Sequence, residues 1–270
     1  MLRDVTIGQF FPGNSLLHKI DPRAKIVMLI AFIVMIFCTF NYYSLIIAAA
    51  STILIMLLSG VPVKLYLKSL KMIIMIVVFT SVLNIFYGTG EPIYQLGFLK
   101  ITQNGINNAV FVTVRIICLI IISSSLTFTT SPTDLTDAIE RLMKPLKVFH
   151  IRVHEIALMM SIALRFIPTL LEETDKIMQA QKARGADMET GSIIKRAKAL
   201  LPVLIPLIVS AFRRAIELAT AMECRCYQGG SGRTRMKVLH LKSRDFIAFA
   251  IVSIVFTGVI LCNIFLTIPL

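Results

Sequence analysis

The amino-acid sequence predicts an all-α polytopic membrane protein, with about five transmembrane helices and a large cytoplasmic segment of amphipathic helices. The 270 residues are 56% hydrophobic and have a mean hydropathy of +0.81, which is more apolar surface than a soluble domain can bury. Several apolar runs approach the length of about 20 residues that a helix needs to cross a bilayer. The formal net charge is +13, and in a membrane protein such an excess indicates an anionic lipid leaflet rather than nucleic acid.

Five apolar runs are predicted to span the membrane: residues 26–40, 44–59, 72–87, 106–128 and 246–270. Residues 41–43 form a predicted tight turn, and 88–105 form a predicted loop because the segment contains glycine and Pro92. The chain then divides into three parts: N-terminal transmembrane helices (1–128), a cytoplasmic helical domain (129–244) and a C-terminal transmembrane helix (245–270).

The distribution of Lys and Arg predicts the orientation. Residues 129–244 hold nineteen of them, whereas 88–105 hold only Lys100 and 41–43 hold none. Because cytoplasmic segments carry the excess of positive charge, we expect the N-terminus and 129–244 in the cytoplasm and the C-terminus outside. Arg115 is the exception, because it lies within the fourth predicted span. An intramembrane Arg marks a functional site or pairs with a neighbouring helix or a head group.

Two further apolar stretches, 156–171 and 199–212, are interpreted as interfacial or buried helices rather than spans. The first contains Arg165 and Pro168, and the second contains two prolines and is too short to cross a bilayer. Inserting both would preserve the orientation of the ends but would move the charges of 172–198 outside. The distribution of charge therefore favours a cytoplasmic position for this region.

Each of these stretches continues into an amphipathic helix that ends at an Arg between two small residues, Ala183-Arg184-Gly185 and Cys224-Arg225-Cys226. Gly185 can adopt the left-handed backbone conformation that commonly ends an α-helix, and two glycines follow the second helix at 229–230. Small neighbours allow close approach of another surface, and the guanidinium group can donate two parallel hydrogen bonds to a carboxylate. An Arg in the last turn of a helix can simply complement the negative end of the helix dipole. Because two helices end in this way in similar sequence contexts, docking of the two ends onto two protein surfaces is favoured over that explanation.

The chain resembles the transmembrane T component of energy-coupling factor (ECF) transporters, which are ATP-driven bacterial and archaeal importers of vitamins and trace metals. The resemblance lies in five segments: DPRAK (21–25), SPTDLTDAIERLMKPLK (131–147), HEIALMMSIALRFIPTLLEETDKIMQAQKARGAD (154–187), SAFRRAIELATAMECRCY (210–227) and GGSGRTR (229–235). It implies a non-catalytic subunit of a bacterial cell membrane. Two cytoplasmic coupling helices, each ending in Ala-Arg-Gly, would dock on two ATP-binding-cassette (ABC) ATPase subunits. The subunit would also hold a substrate-binding membrane protein, the S component.

The resemblance also implies roles for particular residues. The ATPase-docking residues would be Ala183, Arg184, Gly185, Cys224, Arg225 and Cys226. The second set departs from the family pattern, because two cysteines replace Ala and Gly, and the way that helix ends is open. An adaptable apolar face is expected to contact the S component, formed by Met159, Met160, Ile162, Leu204, Leu207 and Ile208.

Other classes of function are less well supported by the sequence. The chain contains no phosphate-binding loop G-x-x-x-x-G-K-[ST], so no cofactor is expected, and ATP would be bound by the partner subunits. The pair Cys224 and Cys226 with distant His240 lacks the four convergent donors of a metal site. A membrane-embedded enzyme would depend on Arg115 and Asn84, and a standalone solute channel would have spans that are poor in charge. The transported solute is not encoded in this chain, because the S component selects it in the family.

Overall fold

The computed structural model of the chain describes residues 10–86, 92–96, 99–150, 152–186, 192–229 and 239–265. Within these ranges the chain is almost entirely α-helical, and the predicted class, an all-α polytopic membrane protein, is confirmed. The helices are α1 (Pro22–Phe37), α2 (Tyr42–Leu58), α3 (Val63–Phe86), α4 (Gln103–Thr129), α5 (Pro132–Leu142), α6 (Val153–Ala183), α7 (Ile193–Cys224) and α8 (Ser243–Phe265). Two short 3-10 helices, Leu17–Lys19 and Lys144–Phe149, precede α1 and α6. The residues divide into two compact units, one of Gly8–Leu135 with Val238–Leu270, and one that includes Thr136–Lys237.

Two helices joined by a short connection are present as predicted, but the connection lies at residues 38–41 rather than 41–43, because Tyr42 and Tyr43 are the first residues of α2. Helix α1 begins at Pro22, where Asp21 caps the helix by accepting a hydrogen bond from the Arg23 backbone N–H at 2.9 Å. Helix α2 begins after Asn41, whose backbone N–H donates to the Ser44 hydroxyl at 3.1 Å in a capping box. Local capping chemistry therefore sets both helix starts.

Helix α3 begins nine residues earlier than the predicted span at 72–87. Its first turns carry Lys64 and Lys68 on the exposed side, whereas Tyr66 is buried. The Tyr66 hydroxyl donates to the Ser59 oxygen at 3.0 Å, and its ring packs edge-on against Phe128 with 5.2 Å between centroids. The hydropathy pattern missed this start because charged and apolar residues share these turns.

The predicted loop at 88–105 contains regular structure, which corrects the sequence interpretation. Strand β1 (Pro92–Leu96) pairs antiparallel with β2 (Leu99–Thr102), and the register shifts between Pro92 and Tyr94. The segment is rich in β-branched and aromatic residues, which favour strands once a partner is adjacent. Helix α4 begins at Gln103, where the Thr102 hydroxyl accepts from the Gly105 N–H at 3.1 Å.

The core of the first unit forms around α4, which packs against α1, α2 and α3, while α8 packs against α1 and α2. The central cluster combines residues of four helices: Phe32, Met35, Ile36, Ala48, Cys118, Ile122 and Val259. Most large apolar side chains outside this cluster are exposed. An apolar exterior is the expected surface of a bundle whose solvent is lipid.

Five helices are long and apolar enough to cross a membrane within the described ranges: α3, α4, α6, the Lys198–Cys224 part of α7, and α8. This set differs from the predicted one, because α1 and α2 have only 16 and 17 residues. Helices α6 and α7 run unbroken through their prolines for 31 and 32 residues, so shortness no longer argues against insertion of α7. The cytoplasmic assignment of 129–244 stays a prediction that depends on charge.

Candidate functional site

Helices α6 and α7 pack against each other through a polar cluster in the second unit. The Arg214 Nη2 donates to Glu173 Oε2 at 3.0 Å, and the Ser210 hydroxyl donates to Glu173 Oε1. Farther along, the Gln181 side-chain amide approaches the Pro202 carbonyl oxygen at 3.5 Å. Contacts move backward along α6 as they move forward along α7, so the two helices run antiparallel. The cluster has no signal in the sequence, because nothing local pairs Glu173 with a residue 41 positions away.

The antiparallel arrangement places the two Arg ends in opposite directions from the Glu173 cluster. Arg184 lies eleven residues beyond Glu173, and Arg225 lies fifteen residues beyond Ser210. At a helical rise of about 1.5 Å per residue, these arms are about 16 Å and about 22 Å long. The pair of helices α6 and α7 therefore carries one Arg end on each side of the Glu173 cluster.

The first Arg end has a left-handed closing turn. Ala183 is the last residue of α6, Arg184 is the cap, and Gly185 follows with φ of 85°. The Gly185 N–H donates to the Lys182 carbonyl at 3.0 Å, and the Ala186 N–H reaches back to the Gln181 carbonyl at 3.0 Å. This pair of bonds is a Schellman motif, which satisfies carbonyl groups at the helix end.

The second Arg end closes in the same way. Cys224 is the last residue of α7, and Cys226 takes the left-handed conformation with φ of 54°. The Cys226 N–H donates to the Glu223 carbonyl at 2.8 Å, and the Tyr227 N–H donates to the Met222 carbonyl at 3.0 Å. The departure to Cys-Arg-Cys therefore preserves the turn, and the helix ends before the glycines at 229–230. A non-glycine residue in this conformation costs about 1 kcal/mol relative to glycine.

Both Arg side chains are exposed. In the part of the chain that the structure describes, neither Arg184 nor Arg225 makes an ion pair or a side-chain hydrogen bond. Each guanidinium group projects from a helix C-terminus, where the aligned peptide dipoles place negative partial charge. The two ends are thus similar in turn geometry, exposure and charge.

The apolar residues predicted to form one face on α6 and α7 are largely exposed, but the structure divides them into two groups. Because the helices run antiparallel, the group that precedes Glu173 on α6 and the group that precedes Ser210 on α7 lie on opposite sides of the Glu173 cluster. Met159 is 61% exposed, and Met160, Leu204 and Ile208 are also exposed, whereas Ile162 and Leu207 are half-buried. Exposed large apolar side chains of this density mark contact with lipid or with another protein.

Arg115 has a structural partner on a neighbouring helix. Its Nη2 donates to the Thr39 carbonyl oxygen at 2.8 Å, just beyond the end of α1, and its guanidinium carbon lies 5.9 Å from the centre of the Phe37 ring. A cation is favourable at a helix C-terminus, where carbonyl groups lack intrahelical donors. This position agrees with the pairing alternative for Arg115 rather than with a separate functional site.

The DPRAK segment forms a joint between the starts of α1 and α8. Asp245 is buried, and its carboxylate accepts from the backbone N–H groups of Asp21 at 2.9 Å and Lys242 at 2.7 Å. Arg23 is paired with Asp21 at 2.8 Å and also donates to the Leu239 carbonyl at 3.1 Å. The first and last α-helices of the first unit are therefore held together at one end by charged groups.

No group of three or more His, Cys, Asp or Glu side chains that could hold a metal ion occurs within the described residues. Cys224 and Cys226 are exposed thiols. His154 contacts Glu140 through Nδ1 at 3.2 Å, a pairing between α5 and α6 that the sequence analysis did not anticipate.

The sequence matches the cobalt transport protein family CbiQ over residues 13–237. Among curated proteins, the energy-coupling factor transporter transmembrane protein EcfT of Ruminiclostridium cellulolyticum is 54% identical, and the match covers 97% of this chain and 98% of that protein. The proteins of the same description from Thermosediminibacter oceani and Bacillus subtilis are 48% and 46% identical. These matches cover 96% and 91% of this chain, and 98% and 93% of those proteins. The chain therefore belongs to the EcfT family, the multi-pass transmembrane components of energy-coupling factor transporters.

Proposed function

We propose that this chain is the energy-coupling scaffold of an ECF-type importer of vitamins or other micronutrients. It docks on two ABC ATPase subunits, holds a substrate-binding S component and transmits ATP-driven motion between them. The observation that carries the proposal is the pair of exposed Arg ends, Arg184 and Arg225, which close with the same backbone turn on opposite arms of one helix crossing.

Two matched ends suit two similar partner surfaces. Each Arg would enter a groove on one ATPase subunit and donate to carboxylate or carbonyl groups there, while the small neighbours Ala183, Gly185, Cys224 and Cys226 allow close approach. The opposite directions of the two arms from the Glu173 cluster support binding to two separate subunits rather than to one.

The two exposed apolar groups on α6 and α7 support the S-component assignment. Methionine side chains adapt to differently shaped partners, and Met159 and Met160 are both exposed. Because each helix carries one apolar group in its N-terminal half and an Arg end at its C-terminus, motion of the ATPases would reach the S component along α6 and α7. The Glu173–Arg214 pair would make the two helices move as one element.

The proposal places the Arg ends in the cytoplasm, on the side where ATP is available. The excess of Lys and Arg in 129–244 supports this orientation. It also puts the N-terminus in the cytoplasm and the C-terminus outside.

The double change Arg184→Ala with Arg225→Ala tests the proposal. Removing one partner of a buried ion pair typically costs about 3–5 kcal/mol, so we expect the purified complex to lose its ATPase subunits and ATP-driven uptake to be abolished. Lys176→Ala with Arg213→Ala is the matched control, because these are exposed cations on the same helices away from the ends. An intact complex with full uptake in the double Arg variant contradicts the proposal.

A further inference from the structure

The first unit contains a cavity of about 400 Å³ among α1, α2, α4, α8 and the segment before α1. Its walls are almost entirely apolar side chains, among them Met28, Phe32 and Leu54. Two cationic residues, Lys25 and Arg244, also line it. A volume of this size is in the range of pockets that hold small ligands.

The two cations lie at one end of the cavity, whereas apolar side chains line its whole length. Lys25 and Arg244 lie in the first turns of α1 and α8. The apolar lining extends from there to Phe32 on α1 and to Val255 on α8, which is about 10 Å and about 16 Å along the helices. The cavity is thus a mainly apolar slot, and its end at Lys25 and Arg244 is called the mouth.

The slot borders the exterior of the bundle. Leu54 on α2 and Ile251 on α8 line it and are each 54% exposed. An apolar space with exposed apolar walls in a membrane protein is in contact with lipid, because water in such a space would lack hydrogen-bond partners.

The charge at the mouth is not balanced by a carboxylate in direct contact. Lys25 is only 6% exposed, and its Nζ donates to two neutral oxygens, the Thr129 carbonyl at 2.8 Å and the Thr130 hydroxyl at 3.1 Å. Arg244 is exposed and makes no ion pair with any described residue.

The carboxylates nearest in sequence to these cations have other partners. Asp21 binds Arg23, and Asp245 accepts from the backbone N–H groups of Asp21 and Lys242. Asp134 also acts electrostatically on Lys25, but it makes no ion pair with it. One N–H of Lys25 and the guanidinium group of Arg244 therefore remain to donate to an anionic group in the slot, which is favourable.

We propose that this slot binds one acidic phospholipid, with an acyl chain along α1 and α8 and the phosphate between Lys25 and Arg244. The charge of the mouth selects an anionic head group, and the length and apolarity of the slot select a chain. This site is separate from the Arg ends and does not depend on the proposed docking of ATPases.

Native mass spectrometry of the full-length chain in detergent tests the site with two probes, phosphatidylglycerol and phosphatidylcholine with identical acyl chains. We expect one phosphatidylglycerol to be retained more than fivefold more strongly than phosphatidylcholine, because each of the two cations near the anionic head group contributes about a factor of five. Arg244→Gln should reduce retention of phosphatidylglycerol about fivefold and leave retention of phosphatidylcholine unchanged, because Lys25 remains in the slot. Lys68→Gln is the matched control, since it removes an exposed cation outside the cavity.

A second pair of variants tests the slot itself. Ala248→Phe fills the cavity and should remove the bound phosphatidylglycerol, whereas Ala250→Phe places the same ring on the same helix outside the cavity and should leave it bound. Equal retention of the two lipids by the unmodified chain overturns the proposal, and so does full retention in Ala248→Phe. A photoreactive side chain at position 248 that attaches to a protein segment rather than to lipid also overturns it.

Discussion

At the scale of single residues, Cys226 shows how a sequence can depart from a pattern while the backbone keeps it. Its φ of 54° and its hydrogen bond to Glu223 reproduce the role of Gly185 at the other Arg end. The cost of a side chain in this conformation is small enough to be offset by two closing hydrogen bonds and the helix they complete.

The reciprocal changes Cys226→Gly and Gly185→Cys measure that cost. Cys226→Gly should leave stability unchanged or raise it by at most about 1 kcal/mol, because glycine relieves the left-handed strain but loses more backbone entropy on folding. Gly185→Cys should lower stability by about 1 kcal/mol through strain alone, since a Cβ at Gly185 meets nothing within 4 Å. The measurement is the free energy of unfolding of the purified chain in detergent and SDS mixtures.

The same variants also test whether the Cys226 thiol contacts a partner. If Cys226→Gly keeps the chain stable but weakens its assembly with the ATPase subunits, the side chain itself makes a contact. The strain explanation alone would then be wrong for this position.

At the scale of elements, the Glu173 cluster is the polar connection between α6 and α7. Glu173 accepts from both Ser210 and Arg214, so one carboxylate holds two points of α7. The apolar positions of the facing surfaces are mostly half-buried. The polar cluster therefore fixes the position of α6 along α7. A motion applied to one Arg end would be transmitted through this contact.

A double-mutant cycle of Glu173→Gln and Arg214→Gln measures the connection. Since both side chains are partly exposed, we expect a coupling of about 0.5–1 kcal/mol in the free energy of unfolding. Glu173→Gln should also slow ATP-driven uptake more than it weakens ATPase binding.

The neighbours Glu172 and Arg213 supply the control cycle. Both are exposed, so their changes to Gln should each stay within about 0.5 kcal/mol and show no coupling. Strictly additive effects at Glu173 and Arg214 would mean that the pair does not hold the two helices together.

At the scale of the whole molecule, the central question is which helices lie in the bilayer. Length and hydropathy admit α6 and α7 as spans, whereas the charge between and around them argues for the cytoplasm. The proposed function depends on the second arrangement, because Arg ends outside the cell could not reach ATPases.

Single cysteines in a chain without its native cysteines decide between the two arrangements. Lys176→Cys and Lys198→Cys replace exposed residues of α6 and α7, and a membrane-impermeant thiol reagent should label them only from the cytoplasmic side. Tyr43→Cys, at an exposed position in the first turn of α2, should be labelled from outside. Labelling of all three from outside intact cells would mean that α6 and α7 span the membrane and would remove the basis of the coupling mechanism.

The sequence by itself determined the features that depend on local chemistry and composition: a helical membrane protein, the hairpin of α1 and α2, and the two Arg ends. The tertiary structure decided the features that join distant residues. It paired Glu173 with Arg214, attached Arg115 to the end of α1, and placed Lys25 and Arg244 at the mouth of one slot. The reason is physical: helix starts, stops and apolar faces follow from neighbours within a few residues, whereas a contact between helices depends on how whole elements pack.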